Sequence, residues 1–382
     1  MSIALLHARV LTEQGFREDC AVVVKDDRIH ALVAHDDASL RGIETLDLSG
    51  RILLPGFIDA QVNGGGGVLL NDQPTLEGVR AITEAHRRFG TTGLLPTLIS
   101  DELDVIIRAI AAVEAAIAVG VPGVLGIHIE GPYLAPARKG VHDPAHFRVP
   151  DADELAKVSA LRGGRTLLTL APERVGPKII SELVRAGVVV AAGHTAGSYA
   201  ETRAGLGAGV SGFTHLFNAM TPLGSREPGV VGAALEDPAS WCGIIVDGHH
   251  VHPASVRMAL AAKPRGKVFL VTDAMPPVGS DDPSFQLKGE TIVVRDGICR
   301  SIDGSLAGSA LDMAQALRNA VTMLGLPLDE AARMASTYPA DFLGIGHQRG
   351  RIRVGAQADF CVLDENLQVL ETWIDGQGRV VN

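Results

Sequence analysis

Six acidic or histidine side chains each close a short apolar run in the middle of this 382-residue chain: Asp59, Glu130, His194, His215, Asp247 and Asp273. One carboxylate with two imidazoles is a ligand set suited to a catalytic divalent metal that keeps an open position for water. The runs IHIEGP, AAGHT and FTHLFN supply such a set as Glu130, His194 and His215. Either histidine alone could equally bond a backbone carbonyl at its strand end, but three such residues together favour a metal.

Asp273 ends the apolar run FLVTDAM. If that run is a strand of the same sheet, its carboxylate faces the same edge as the proposed metal and suits a proton shuttle. The alternative is an N-cap for the next helix. Pro276 and Pro277 follow closely, and no helix starts at once, so the shuttle is the better interpretation.

Further candidates lie on loops. His142 in GVHDP and His250 in DGHHV could polarise a carbonyl or bind a hydroxyl or phosphate, although surface loop histidines are common. Asn218 in HLFNAM precedes Arg226 in SREPG, and the planar guanidinium suits a phosphate dianion. A salt bridge between Arg226 and Glu227 is an equal alternative.

A glycine run follows the first of these apolar runs, in the segment NGGGG at residues 63–67. It lacks the lysine of a P-loop and the spacing of a dinucleotide fingerprint. It therefore indicates a close approach of the backbone to other atoms and not a nucleotide site.

The elements that must position these residues alternate between short apolar runs and longer amphipathic stretches. We count eight runs: Ile52–Asp59, Gly93–Thr97, Val124–Glu130, Thr166–Leu170, Val188–His194, Gly212–His215, Cys242–Asp247 and Val268–Asp273. Eight parallel strands close a barrel, whose reactive residues lie at the carboxyl ends of the strands. We predict an α/β fold, a (β/α)8 TIM-like barrel.

The two ends of the chain have a different hydrophobic pattern from the middle, because their strand-like stretches are short and broken by turn residues. We predict that they combine into one small β-sandwich domain. The predicted division gives residues 1–52 and 348–382 to the small domain and residues 53–347 to the catalytic barrel. A strand pair near residues 285–299 is expected as an excursion after the eighth run.

Composition narrows the class of protein. Hydrophobic residues make up 46% and charged residues 20%, and the formal net charge is −10. Without a run of lysine or arginine, this balance argues against nucleic acid or an anionic membrane as partner. The four cysteines are far apart, and neither a secretory signal nor a membrane-spanning run is evident, so we expect a cytoplasmic protein with reduced thiols.

The chain contains, in order, the motifs PGFIDAQVNG, GIHIEGPYL, KGVHDP, GHT, THLFNAM, REPG, DGHHV, VTDAM and GSLAGS. Together they resemble the motifs of the N-acetylglucosamine-6-phosphate deacetylases of the amidohydrolase superfamily. The resemblance runs almost end to end. HLFNAM and REPG are the motifs most specific to the deacetylases.

This resemblance implies hydrolysis of N-acetylglucosamine 6-phosphate to glucosamine 6-phosphate and acetate. It implies one divalent metal on Glu130, His194 and His215, with zinc expected and iron, manganese or cobalt as alternatives. Asp273 would be the acid/base, and His142 would polarise the acetyl carbonyl. The implied substrate contacts are Val141, Asn218, Ala219, Arg226, His250, Leu306, Ala307 and Gly308. The family's homodimer would bring Arg226 into the neighbouring subunit's site.

One departure from the superfamily pattern concerns the end of the first strand. Most amidohydrolases carry His-x-His there, whereas this chain has Gln61 and Asn63. Amides are poor ligands for a transition metal, so we expect one metal ion. Other readings stay open: the galactosamine epimer as substrate, ring opening of a cyclic amide, deamination of a base, or a non-catalytic relative.

Overall fold

The computed structural model describes residues 2–295, 297–301 and 304–381. The first part of the chain, up to the barrel, consists of seven strands: β1 Ser2–Leu6, β2 Arg9–Thr12, β3 Gly15–Arg17, β4 Ala21–Lys25, β5 Arg28–Val33, β6 Glu44–Asp47 and β7 Ile52–Pro55. The barrel strands and a short hairpin follow: β8 Phe57–Val62, β9 Gly64–Gly65, β10 Val68–Leu69, β11 Thr91–Ile99, β12 Gly126–Glu130, β13 Arg165–Leu170, β14 Val189–Ala192, β15 Gly212–Phe213, β16 Trp241–Ile244 and β17 Val268–Leu270.

Seven helices alternate with the barrel strands: α1 Leu76–Arg87, α2 Leu103–Ala118, α3 Ala152–Val158, α4 Pro172–Arg185, α5 Tyr199–Ala208, α6 Gly229–Glu236 and α7 Pro253–Ala262. The rest of the chain gives β18 Ser284–Leu287, β19 Glu290–Arg295, β20 Ile298–Arg300, β21 Leu306–Ser309, α8 Met313–Thr322, α9 Leu328–Ala335, α10 Thr337–Phe342, β22 Phe360–Leu363, β23 Val369–Ile374 and β24 Gln377–Val380. No helix within the described ranges is long and apolar enough to span a membrane.

Eight parallel strands form the barrel, in the order β17, β16, β15, β14, β13, β12, β11, β8. A parallel bridge between Val62 and Ala274 brings the first and last strands together. Strands β8, β11 and β12 are buried along their whole length, as strands covered on both faces must be. The structure confirms the predicted (β/α)8 barrel.

The first predicted run, Ile52–Asp59, is in fact two strands. Strand β7 pairs with β2 and β22 outside the barrel, and the barrel begins only at β8. The break falls at Gly56, where a Cβ atom would lie 2.1 Å from Oγ1 of Thr92. The continuous apolar sequence hides this break, because both strands are buried.

Strands from both ends of the chain form two sheets. One has the order β5, β4, β1, β6, and the other has the order β24, β23, β22, β7, β2, β3. A common apolar cluster joins them, with Leu5 and Val22 from the first sheet and Val10, Leu53 and Phe360 from the second. We call this β sandwich the terminal unit. No observation tests the predicted boundaries at 52/53 and 347/348, which stay a prediction.

A four-stranded antiparallel sheet, β18–β21, follows the last barrel strand. We call it the cover sheet. Its apolar face, including Phe285 and Ile292, packs on Leu69, Ile99 and Met275 beside the carboxyl ends of the barrel strands. This placement makes the cover sheet one wall of the cavity described next.

Candidate active site

Three ligand-type side chains converge at the carboxyl ends of β12, β14 and β15. Oε1 of Glu130 lies 3.2 Å from Nε2 of His194 and 3.0 Å from Nε2 of His215, and the two nitrogens are 3.1 Å apart. These separations approach the edge of roughly 3.3 Å of a tetrahedron with metal–ligand bonds of about 2.0 Å. The residues that the sequence predicts as metal ligands thus meet in one cluster.

The hydrogen-bonding roles of His194 fit a metal ligand. Its Nδ1 lies 2.7 Å from the carbonyl oxygen of Arg138, which can only accept, so Nδ1 carries the proton. In the neutral ring Nε2 then has no proton, so Nε2 and the Glu130 carboxylate are two acceptors that face each other. A cation bound between the two acceptors would make that contact favourable, and the carbonyl of Arg138 fixes the ring as outer partners of metal ligands do.

The backbone at this site adopts a conformation that side chains usually avoid. The φ angles are +47° at His194, +35° at His215, +50° at Ala219 and +55° at Asp273. Left-handed backbone at residues other than glycine costs free energy and clusters at functional sites. Here it turns side chains inward directly after β14, β15 and β17.

Asp273 is held by the two amides that replace the usual His-x-His. Nδ2 of Asn63 donates to Oδ1 of Asp273 at 2.6 Å, and Nε2 of Gln61 donates to the same oxygen at 3.1 Å. Gln61 also donates to Glu130 at 3.2 Å. Burial raises the pKa of Asp273 to about 6, and the nearby Glu130 carboxylate adds to the rise. A raised pKa suits a group that must accept and return a proton near neutral pH.

His142 lies against the ligand cluster, with Nε2 4.0 Å from Oε1 of Glu130. Its Nδ1 accepts hydrogen bonds from the backbone N–H of Ser100 at 3.2 Å and from the Ser100 hydroxyl at 2.8 Å. Burial, helped by His194, holds the pKa of His142 well below its usual range, so the ring is neutral. Its single proton is therefore on Nε2, on the side of the cluster.

Ser100 also lies at the end of a barrel strand, although the apolar runs do not single it out. The second predicted run ends at Thr97, whereas β11 continues to Ile99. Ser100 is therefore the first polar residue after a barrel strand, in the same place as the other site residues.

A cavity of about 310 Å³ opens above the cluster. The cavity is lined by Asn63, Ile99, Glu130, Gly140, Val141, His142, His194, His215, Asn218, Ala219, His250, Asp273, Met275, Ser305, Leu306 and Gly308. Most predicted substrate contacts are therefore in its wall. Ala307 is buried in the apolar cluster of the cover sheet instead, and Arg226 is exposed and away from the cavity.

His250 is oriented by Asp247. Its Nδ1 lies 2.6 Å from Oδ2 of Asp247, so Nε2 is left to the cavity. Burial alone would raise the pKa of Asp247, but the hydrogen bond and charge of His250 outweigh it and bring that pKa to about 2. The carboxylate is therefore ionised and keeps His250 in one orientation.

The glycine run after β8 serves the site through the backbone. A Cβ atom at Gly64 would lie 2.4 Å from the carbonyl oxygen of Val68. The N–H groups of Asn63 and Gly64 both donate to the carbonyl oxygen of Ala274 at 2.9 Å. The run thus packs the loop of Asn63 against the loop of Asp273, as the predicted close approach requires.

Comparison with known proteins shows the family to which the chain belongs. The model of the amidohydrolase family matches residues 52–379. An N-acetylgalactosamine-6-phosphate deacetylase of Shewanella sp. (strain ANA-3) is 46% identical over 97% of this chain and 94% of its own length. An N-acetylglucosamine-6-phosphate deacetylase of Haemophilus influenzae is 34% identical over 99% of this chain and 100% of its own length.

A solved structure extends the likeness to the whole fold. The crystal structure of N-acetylglucosamine-6-phosphate deacetylase from Pasteurella multocida superposes with a TM-score of 0.96, at 34% identity and with 100% of both chains covered. A family match over most of the chain, relatives above 30% identity and a shared fold lead to one conclusion. The chain belongs to the amidohydrolase family, in which its relatives are deacetylases of N-acetylated hexosamine 6-phosphates.

Proposed function

We propose that this protein hydrolyses N-acetylglucosamine 6-phosphate to glucosamine 6-phosphate and acetate. The observation that carries the proposal is the convergence of Glu130, His194 and His215 with Asp273 and His142 at the floor of one cavity. The names of the relatives support the substrate class. The reaction belongs to amino-sugar catabolism.

In the proposed reaction, Glu130, His194 and His215 would hold a divalent metal, which when bound would supply the Lewis acidity needed to activate water and polarise the acetyl carbonyl. Asp273 accepts the proton of the attacking water and later gives it to the departing amine nitrogen. His142 donates from Nε2 to the acetyl oxygen as charge develops there. Gln61 and Asn63 hold Oδ1 of Asp273.

We propose one metal ion per subunit, with zinc as the first candidate and iron, manganese or cobalt as alternatives. Two imidazoles and one carboxylate are accepted by all four metals. The amide groups of Gln61 and Asn63 donate to carboxylates, and a donating N–H group cannot also face a cation. This supports the absence of a second metal ion at that position.

The phosphate contact of the proposal requires a second copy of the chain. Arg226 is exposed and, within the described ranges, forms neither a hydrogen bond nor an ion pair with a side chain. We propose a homodimer in which Arg226 of one protomer binds the phosphate in its partner's site, while His250, Asn218 and the backbone of Ala219 bind the sugar from within. Four free, buried cysteines support the cytoplasm as the location.

The galactosamine epimer is the second candidate substrate. It is favoured by the Shewanella relative, whose identity to this chain is 46% against 34% for the Haemophilus glucosamine enzyme. The two sugars differ at one hydroxyl. Comparing kcat/KM for the two phosphorylated epimers decides which one the site prefers.

The deciding experiment measures acetate release by metal-loaded protein from the two phosphorylated epimers and from unphosphorylated N-acetylglucosamine. We expect kcat/KM for a phosphorylated sugar to exceed that for the unphosphorylated one by at least about a hundredfold, because a charged contact is lost without phosphate. Acetate release from none of the three would overturn the proposal. Ammonia release or opening of a cyclic amide would then indicate a different amidohydrolase reaction.

A further inference from the structure

Glu227, the residue after Arg226, holds the first N–H groups of two helices. Its Oε1 accepts hydrogen bonds from the backbone of Tyr199 at 2.7 Å and of Gly229 at 3.0 Å. Tyr199 is the first residue of α5 and Gly229 is the first residue of α6. Such N–H groups have no acceptor within their helix and lie at the positive end of its dipole. One carboxylate oxygen thus ties two helix N-termini together.

The loop around Glu227 is fixed at further points. We call residues 221–229 the arm. At its root, the hydroxyl of Thr221 donates to the carbonyl oxygen of Gly197 at 2.7 Å and accepts from the N–H of Val230 at 2.8 Å. At its tip, the N–H of Gly224 donates to the carbonyl oxygen of Glu227 at 3.1 Å. The tip is too tight for a side chain at Gly224, whose Cβ would lie 2.8 Å from that carbonyl oxygen.

This arrangement leaves Arg226 unpaired within the part of the chain that the structure describes. A salt bridge to its neighbour Glu227 was the plain alternative, but the described residues form none between the two, and Oε1 of Glu227 accepts from the two helix N-termini instead. The guanidinium is therefore carried outward on a fixed turn. A long side chain held this way reaches a distant ligand with less loss of conformational entropy than one on a mobile loop.

The arm is continuous with the loops of the active site. The N–H of Thr195, next to the proposed ligand His194, donates to the carbonyl oxygen of Ala219 at 3.1 Å. Ala219 lies in the cavity wall, two residues before the arm begins. The position of Arg226 is thus fixed relative to the same backbone that forms the site.

We infer that Glu227 is a positioning residue that sets the reach of Arg226 toward the phosphate of a substrate bound in the partner subunit. The inference rests on the proposed function and deepens it, because it assigns the one acidic residue of the arm a role in recognising the phosphate. Glu227 acts through the backbone N–H groups of α5 and α6 and does not touch the substrate.

The test compares phosphorylated with unphosphorylated substrate. In Glu227→Ala we expect KM for the phosphorylated sugar to rise about tenfold, while kcat stays within about twofold. For unphosphorylated N-acetylglucosamine, kcat/KM should change by less than about twofold, because that substrate does not use Arg226. In an Arg226→Ala background, adding Glu227→Ala should cost less than about a further twofold, because coupled residues are not additive.

Two further variants separate the hydrogen bonds from the charge. Glu227→Gln keeps a carbonyl acceptor and should give a KM between those of the wild type and Glu227→Ala. Tyr199→Pro removes the N–H donor at a first helical position, where proline is tolerated, and the preceding Ser198 is already extended, with ψ 168°. It should reproduce the rise in KM, whereas Tyr199→Ala, which keeps that N–H, should not.

Glu236→Ala is the matched control, since it removes another exposed carboxylate that contacts Tyr199, at the side-chain hydroxyl and not at the backbone N–H that Glu227 holds. Metal content and sedimentation velocity accompany each variant. Equal losses with both substrates, loss of metal, or dissociation of the assembly would show a general defect and overturn the inference. A normal KM in Glu227→Ala while Arg226→Ala is impaired would also overturn it. A normal KM in Arg226→Ala would instead overturn the proposed phosphate contact itself.

Discussion

Asp273 presents one carboxylate oxygen to two amide donors, and no described residue donates to the other, Oδ2. This asymmetry leaves Oδ2 available for the proton transfer that we propose for Asp273. Asp273→Asn keeps the shape of the side chain but cannot accept and return a proton, so we expect kcat to fall by about 10² to 10⁴.

Metal analysis of the purified Asp273→Asn variant provides the control, because its metal content should match that of the wild type. The three ligand atoms belong to other residues. Near-normal turnover in this variant would remove Asp273 from the mechanism.

At the scale of residues, the sequence alone predicts that Glu130, His194 and His215 come together, because each follows an apolar run and strand ends share one edge of a barrel. The roles of the site residues stay predictions that these experiments test. The sequence does not reveal which nitrogen of His142 carries its proton, because that depends on Ser100, 42 residues away in the chain. Pairings of that kind become visible only in three dimensions.

Among the elements, the long loop 131–148 between β12 and α3 carries His142, and its two ends are clamped by Glu154. Oε1 of Glu154 accepts from the hydroxyl of Tyr133 at 2.9 Å and from Nε of Arg148 at 2.8 Å. Glu154→Ala would leave a buried hydroxyl and a partly buried cation without their acceptor. We expect the free energy of unfolding to fall by about 2–4 kcal/mol, and kcat to fall as His142 loses its position.

Tyr133→Phe is the milder comparison, because it removes one donor and leaves the ion pair, with an expected loss of about 1 kcal/mol. Urea unfolding of both variants measures the two values. If Glu154→Ala unfolds at the wild-type urea concentration, the clamp does not stabilise the loop.

The seam between β8 and β17 contains Asp59, a buried carboxylate that has no basic partner among the described residues. It accepts hydrogen bonds from the hydroxyl and the N–H of Thr272 and from the N–H of Gln61. Burial raises its pKa from 3.8 to about 7, against the opposing effect of these hydrogen bonds. Between these pH values the folded protein keeps a proton that the unfolded chain releases, so stability is greatest below the window and falls as pH rises through it.

Asp59→Asn should remove this contribution, which is at most about 1.4 kcal/mol per pH unit for one group. Urea unfolding of the wild type and the variant between about pH 5 and pH 7 measures the two slopes. Parallel slopes would mean that Asp59 is ionised throughout that range. The comparison uses slopes, so a constant loss from the altered hydrogen bonds does not disturb it.

The elements show where periodicity is informative. Among the amphipathic stretches between the apolar runs, the sequence pattern predicts helices at Leu103–Ala118 and Pro253–Ala262, and α2 and α7 have these bounds, because their apolar faces repeat along the helix. The predicted strand Ile52–Asp59 was wrong, because the sterics of Gly56 against Thr92 leave no trace in the hydrophobic pattern.

For the whole molecule, the proposed metal joins three strands that lie far apart in sequence, β12, β14 and β15. A ligand that binds only the folded state stabilises it, by about 2.7 kcal/mol at a hundredfold excess over Kd. We therefore expect a chelator to lower the Tm of the wild type by several degrees and readdition of zinc to restore it.

Glu130→Gln removes the charged ligand of the set and should make Tm insensitive to both treatments. Differential scanning calorimetry at fixed protein concentration measures the effect. If the Tm of the wild type does not change when the metal is confirmed as removed, then metal binding by this cluster does not stabilise the barrel.

The terminal unit has a consequence for synthesis of the protein. Strand β7 pairs with β22, so that Leu54 lies opposite Cys361, and about 300 residues separate the two strands. A ribosome adds about 5–20 residues per second, so β7 waits roughly 15–60 seconds for its partner. Throughout that interval the edge of β7 that will pair with β22 is unpaired in the nascent chain, and a chaperone that shields unpaired strands could bind there.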